Sequence, residues 1–171
     1  MVRGLNRSGL EYALTGALAS SYYGRPRTTV DMDVVVVVSQ ERIVKLANTL
    51  KQVGLEVEQK KLEAAWHSRY RVATITDTKS PHTLDIIFTN GTLQRKTGSI
   101  LGLLTFYQAP QPLILAKLRM IKATRHAERA STDREDIKAI LKSTKINLRA
   151  LRNKARNEST SKILEDLLRA R

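Results

Sequence analysis

Residues 12–39 read YALTGALASSYYGRPRTTVDMDVVVVVS. Tyr12–Thr15 has the make-up of a short strand, and Gly16 permits a tight turn out of it. Ala17–Tyr23 then has the composition of about two helical turns, stopped by Gly24 and Pro26. A loop carrying Arg25 and Arg27 leads into Val30–Val38, β-branched enough to predict a strand. Alternate strand residues point the same way, so Asp31, Asp33, Val35 and Val37 share one face. Met32, Val34, Val36 and Val38 share the other. Valines on both faces predict a sheet covered on both sides. Two neighbouring carboxylates on such an element repel unless a cation sits between them. Hard oxygen donors in a small group suit Mg²⁺, which takes one or two carboxylates, several waters and a substrate's phosphates.

Outward from this stretch, residues 1–11 form a short lead-in or helix. On the other side Ser39 has the position of an N-cap, and Gln40–Val53 reads as a helix closed by Gly54. Its inner stripe is Ile43, Ala47 and Leu50, with Lys45 and Lys51 outside. Leu55, Val57 and the alternating charges after them suggest a strand before a turn. Arg69–Thr76 and Thr83–Thr89 alternate like two strands joined by a polar turn containing Ser80 and Pro81. In the second, Leu84, Ile86 and Phe88 face one way, while Asp85, Ile87 and Thr89 face the other. Residues 90–109 carry no pattern that assigns an element. From Pro112, read as a helix N1 residue, the chain is helical to its end. Ile114, Leu118 and Ile121 form an apolar stripe, and Thr132 with Glu135 reads as a capping box opening a second helix through Leu141. Ile146–Arg156 and Ser159–Arg169 complete the series.

The 171 residues suffice for one domain with a real core, and 42% apolar with 27% charged residues is ordinary for a globular chain. No apolar run approaches a membrane span and no signal-peptide pattern precedes the fold, so a cytoplasmic protein without membrane partners is expected. The absence of cysteine excludes disulfides and thiolate metal sites. A net charge of +14 favours a polyanionic partner. That charge gathers late: residues 117–171 hold 16 Lys and Arg against 7 Asp and Glu.

Gly16, then Arg27-x-Thr29-x-Asp31-x-Asp33 on a strand, then Asp85 on a later strand, resemble the nucleotidyltransferase superfamily of the DNA polymerase beta type. Within it the chain looks like the small prokaryotic nucleotidyltransferases related to the AbiEii toxins. Two departures stand out: Thr15 is less hydrophobic than the pattern asks, and Ala17 stands where Gly or Ser is expected. Pro112-Leu-Ile-Leu-Ala-Lys117 and Asp133-Arg-Glu-Asp136-Ile137 resemble that group's later helices, with Thr132 replacing a usual Lys. The resemblance covers Tyr12–Leu141. It implies an α/β (α+β) fold, a small mixed sheet bearing the catalytic aspartates and flanked by helices. An α/β core over 1–110 and a helical C-terminal region over 111–171 packed on it are the expected domains.

It also implies roles. Asp31, Asp33 and Asp85 would bind Mg²⁺ or Mn²⁺ and be catalytic, with Asp85 helping to deprotonate the attacking hydroxyl. Gly16, Ala17, Ser20, Arg27, Thr29, Lys117 and Asp136 would serve the NTP, Gly16 by letting backbone approach the triphosphate and Asp136 by orienting Lys117. An NMP would pass from the NTP to a hydroxyl. Basic charge favours an RNA acceptor, tRNA-like, in a toxin–antitoxin-type role with a cognate partner protein; a protein side chain is the other acceptor class. Structural alternatives stand beside these. Asp85 would also serve as a buried partner for Arg27 or Arg71, Lys117 as a snorkelling lysine, and Asp133 and Asp136 as first-turn helix acids. Lys145, Arg149, Arg152 and Arg156 fall on one helical face, either solvated or against RNA backbone. His67, His82 and His126 make no zinc cluster. The competing function is a catalytically degenerate nucleotide- or nucleic-acid-binding protein, which Ala17 and Thr132 favour.

Overall fold

The computed structural model describes residues 1–76 and 81–170 and has a mixed α/β architecture. Ser80, placed in a turn by the sequence, lies outside the described residues. The chain divides into two compact units, Met1–Leu18 with Thr28–Gln108, and Ala19–Arg27 with Ala109–Arg171. The chain passes from the first unit to the second within one short helix, Gly16–Tyr22.

The first unit is built on a six-stranded sheet in the order β3-β4-β2-β1-β6-β5. Its strands are β1 (Glu11–Leu14), β2 (Asp31–Val37), β3 (Val72–Thr76), β4 (Thr83–Thr89), β5 (Arg95–Ile100) and β6 (Leu103–Gln108). β2 runs parallel to β4 and antiparallel to β1, and β1 and β6 are parallel. The five-valine run makes β2 central: Val34 and Val36 are fully buried, and Leu84, Ile86 and Phe88 of β4 are buried beside them. Helices α1 (Val2–Ser8), α3 (Ile43–Gln52) and α4 (Gln59–His67) supply the apolar cover of this layer. Trp66 of α4, for instance, meets Phe88 edge-to-face at 6.0 Å. The opposite face is only half covered. Leu93 and Phe106 pack over Ala13, Val35, Val37 and Ile87, whereas Asp31 is exposed and Asp33 and Asp85 are half-buried. The expectation of a sheet covered on both sides holds for the valine end of β2 and not for its aspartate end.

Several local readings need correction. Ser39 stands at the expected N-cap, but of a 3₁₀ turn over Gln40–Arg42 that precedes α3, and its hydroxyl donates to Glu41 at 2.5 Å in place of a capping bond. Gln59–His67, which overlaps the segment 55–65 suggested as a strand, forms α4, because Leu62 and Trp66 stand one helical turn apart and both are buried. The unassigned stretch 90–109 contains the β5–β6 hairpin.

The second unit is helical. It contains the end of α2 (Gly16–Tyr22), then α5 (Pro110–Ala123), α6 (Ala127–Ser143), α7 (Leu148–Asn157) and α8 (Ser161–Arg169). α5 begins at Pro110, two residues before the proline expected to open it. Ile114, Leu118 and Ile121 form its buried stripe as predicted, against Ile137, Ile140 and Leu141 of α6. The Thr132–Glu135 capping box is not one, since α6 starts at Ala127 and Thr132 lies inside it. Asp133 and Asp136 are therefore mid-helix residues and not first-turn acids. Leu151, Ala155, Leu164 and Leu167 close the unit's core from α7 and α8. No helix among the described residues is long and apolar enough to cross a membrane.

Candidate active site

Sheet register brings the sequence-predicted carboxylates of the first unit together. Asp33 of β2 and Asp85 of β4 are direct partners across the parallel pair, and Asp31 pairs with Thr83. Thr74 of β3 is in turn the partner of Asp85. Residues opposite one another in a ladder present side chains to the same face. One open face therefore carries Asp31, Asp33 and Asp85 with two threonines between and beside them.

The threonines hold the acids. Thr83 donates its hydroxyl to Asp31 Oδ1 at 2.6 Å, and Thr74 donates to Asp85 Oδ1 at 2.6 Å. Each carboxylate keeps its second oxygen for another ligand. Among the described residues of the first unit neither Asp31 nor Asp85 has a cationic partner, and the Arg71 guanidinium weighed for Asp85 lies over Trp66 instead. The peptide of Asp31 is fixed by Thr29, whose hydroxyl accepts from Asp31 N–H at 3.2 Å and donates to Asp31 C=O at 3.0 Å. That turn orients Asp31 at the mouth of its strand. Thr29 works through Asp31 in this arrangement.

Gly16 meets the site from the strand next door. Its φ of +57° lies in the left-handed region, and a Cβ there would stand 2.0 Å from Asp33 Oδ2. Thr15 N–H donates to Asp33 C=O at 2.9 Å, binding this turn to β2. Glycine is required here because the Asp33 carboxylate occupies the space of a side chain. Ala17, next in the chain, is buried.

The donor set fits a hard divalent cation. It offers carboxylate oxygens, no thiolate, and no internal cation on Asp31 or Asp85. Among the described residues no group of three or more His, Cys, Asp or Glu side chains is placed to hold a metal ion. An ion that retains waters and takes oxygens from a bound triphosphate asks for one or two carboxylates and no cage.

The remaining sequence-predicted residues lie in the second unit and form a different kind of centre. Lys117 of α5 is 4% exposed, and its ammonium donates to Asp133 Oδ1 at 2.9 Å and Asp136 Oδ2 at 2.7 Å. The two acids stand one turn apart on α6 and so face the lysine together. Asp136 is fully buried; it also receives Arg25 at 2.5 Å and lies 3.6 Å from Arg27. Burial disfavours the charged carboxylate of Asp136. The hydrogen bond and charge of Lys117, with Arg25 and Arg27 adding to them, outweigh it and hold the group below the usual carboxylate range. Ser20 is fully buried in α2, while the Ser21 hydroxyl accepts from Arg27 N–H. The tail residues are exposed, and Arg152 pairs with Glu165 through Nε at 2.8 Å.

Sequence reasoning missed Thr74, Thr83 and Arg25 as site-shaping residues. Thr83 carried a usable signal, two places before Asp85 on the same strand face. Thr74 and Arg25 depend on pairings between distant segments.

No protein-family model matches the sequence, and no curated protein matches it. Solved structures do. An antigenic nucleotidyltransferase-like protein from Paracoccidioides brasiliensis superposes with a TM-score of 0.63 at 16% identity, over 99% of this chain and 89% of that one. The antibiotic-resistance factor ANT(2'')-Ia in complex with adenylyl-2''-tobramycin gives 0.66 at 15% identity, over 92% and 93%. The lincomycin-bound lincosamide antibiotic adenylyltransferase LnuA gives 0.53 at 15% identity, over 82% and 91%. The chain therefore has a fold shared with nucleotidyltransferase structures, with its acid-bearing strands at the centre of the sheet.

Proposed function

We propose that this chain is a metal-dependent nucleotidyltransferase of the DNA polymerase beta type. It moves an NMP from an NTP onto a hydroxyl, with RNA as the acceptor and a toxin–antitoxin-type role. The observation that carries the reading is the in-register pair Asp33 and Asp85, with Asp31 beside them on an open face that, among the described residues, supplies no cation to Asp31 or Asp85. Carboxylates without an internal counter-charge, as Asp31 and Asp85 are among the described residues, are costly in a fold, and a bound cation relieves that cost. The shared fold supports the same reading.

Asp31, Asp33 and Asp85 would hold Mg²⁺ or Mn²⁺. When bound, the ion supplies neutralisation of the triphosphate's charge and of the charge that develops on the departing pyrophosphate. The chain's own residues do the rest. Thr83 and Thr74 fix the Asp31 and Asp85 carboxylates through Oδ1, leaving Oδ2 of Asp85 to accept the proton of the attacking hydroxyl. The hydroxyl oxygen bonds to the α-phosphorus as the bond to pyrophosphate breaks. Gly16 keeps Asp33 unobstructed. Ala17, Ser20, Arg27, Thr29, Lys117 and Asp136 belong to the nucleotide side of this proposal, Lys117 and Asp136 by holding the Arg25–Arg27 segment in place.

Antibiotic hydroxyls form the second acceptor reading, favoured by the tobramycin adduct and the lincomycin seen in two structures of this fold. The net charge of +14 weighs towards a polyanion. The test is incubation with each α-³²P NTP, Mg²⁺ or Mn²⁺, and either total RNA or a panel containing tobramycin and lincomycin. Label entering RNA, and lost in Asp31→Asn and Asp85→Asn, is the expected result. Label on an antibiotic would replace the acceptor. Absence of both transfer and metal-dependent NTP binding would overturn the proposal.

A further inference from the structure

The turn between α4 and β3 exposes a group that the fold itself does not use. Tyr70 is 80% exposed, although a phenol ring of that size is ordinarily at least half covered. The backbone beneath it is firmly held. The Ser68 hydroxyl donates to Ala65 C=O at 2.8 Å and accepts Arg71 N–H at 3.0 Å. Arg71 C=O accepts from Phe88 N–H at 2.8 Å, which ties the far end of the turn to β4. Arg71 itself adopts a φ of +50°, a left-handed conformation that a branched-free but bulky side chain enters only at a cost. Its guanidinium lies 4.6 Å over the ring of buried Trp66, so the strained residue is locked from both backbone and side chain. A fixed turn thus carries an uncovered aromatic ring between two arginines.

The charge around the ring points to the occupant. Among the described residues neither Arg69 nor Arg71 has an acidic partner, and His67 is exposed at the adjoining end of α4. A flat π-face flanked by unpaired cations matches an unstacked base attached to phosphates. An acidic peptide would satisfy the arginines and leave the ring in water, and a duplex would keep its base faces stacked inside.

We propose that the Ser68–Arg71 turn is a stacking platform for single-stranded RNA, with a base on Tyr70 and backbone phosphates on Arg69 and Arg71. The proposal rests on the transferase reading for the identity of the strand as acceptor. Tyr70 lies four residues before Thr74, the β3 residue that holds Asp85.

The experiment is fluorescence anisotropy of a short labelled single-stranded RNA of mixed sequence with full-length wild type, Tyr70→Ala, Tyr70→Trp and Arg69→Ala. Tyr70→Ala should weaken binding roughly 5- to 100-fold, the range for loss of one stacked base, and Tyr70→Trp should retain it. Arg69→Ala should flatten the dependence of log affinity on log salt by about one unit. Because Tyr70 is on the surface, Tyr70→Ala should keep the wild-type melting temperature and metal-dependent NTP binding. Equal RNA binding by wild type and Tyr70→Ala would overturn the platform, as would duplex RNA binding as tightly as single-stranded RNA. Wild type that binds NTP but no RNA would also overturn it while leaving the transferase reading standing with another acceptor. Tyr70-dependent RNA binding in a protein that neither binds nor transfers NTP would sustain the platform and remove the transferase.

Discussion

The two units treat aspartate in opposite ways. On the sheet face of the first unit, Asp31 and Asp85 receive threonine hydroxyls and no cation among the described residues. In the helical unit Asp133 and Asp136 are buried against Lys117, with Arg25 and Arg27 adding to Asp136. A hydroxyl orients a carboxylate without neutralising it, whereas an ammonium or guanidinium does both. Acids of the first kind remain able to take a cation from outside. Those of the second kind have spent their charge inside the fold. The distinction separates acids that are oriented without being neutralised from acids that hold their own backbone together, and each side of it can be attacked separately.

The largest effect should come from Asp33→Asn. The substitution is nearly isosteric and removes one charge from the open face, so nucleotidyl transfer should fall by about 10³-fold, as when one preorganised electrostatic group is lost. The melting temperature should hold or rise, because a repulsion between like charges is relieved. A large loss of melting temperature would mean that Asp33 is structural, and the contrast between the units would collapse.

Lys117→Met should do the reverse. It fills similar volume but leaves two buried carboxylates short of their shared partner, a loss of about 3–5 kcal/mol in urea unfolding. Replacing Asp133 and Asp136 with Asn in the same chain should recover most of that stability, since the stranded charges are then gone. Recovery of stability together with transfer would assign Lys117 to the fold; recovery of stability without transfer would assign it to the nucleotide. Gly16→Ala comes next, at about 1–3 kcal/mol, the range for a non-glycine residue in strained backbone. Here the Cβ also collides with Asp33 Oδ2, so activity should drop with stability, and a paired Asp33→Ala should recover only the part of the stability lost to the collision, without activity.

Much of the carboxylate face was legible in the sequence. Five consecutive valines identify a buried strand, and TLDIIFT alternates cleanly enough to put Asp85 opposite its apolar neighbours. Register was not legible: that Asp33 stands directly beside Asp85 follows from pairing across about fifty residues, which no local pattern encodes. The β5–β6 hairpin escaped because RKTGSI is an edge strand, polar and interrupted by Gly98, with little to bury. Thr132 and Glu135 imitated a helix start because their spacing satisfies a capping box, while Ala127–Ser131 offers no apolar anchor to reveal the true start. The burial of Lys117 was equally hidden. A lysine at the edge of an apolar stripe reads the same whether it reaches water or meets two aspartates from another helix.

Acid titration tests the buried centre more gently than mutation. Asp136 is held below its ordinary range, so the unfolded chain binds its proton at higher pH than the folded one. Its contribution to stability is therefore complete above the unfolded value of about 4 and is lost as pH falls through that value towards the folded one. Melting temperature measured downwards from pH 6 should decline in that window, and Asp136→Asn should remove this part of the decline.

Thr74→Val should have the smallest effect. It keeps the shape of β3 and removes the hydroxyl that holds Asp85 Oδ1, on an edge strand where Thr74 is exposed. The stability change should stay within about 1 kcal/mol, because water can replace a hydrogen bond at the surface. Transfer should nevertheless fall by roughly tenfold, since a carboxylate free to rotate is less often positioned for the attacking hydroxyl. Thr74→Ser keeps the hydroxyl and should restore the rate. An unchanged rate in Thr74→Val would mean that Asp85 is positioned by its ligand alone, and the division between oriented and neutralised acids would then rest on Asp31 and Thr83.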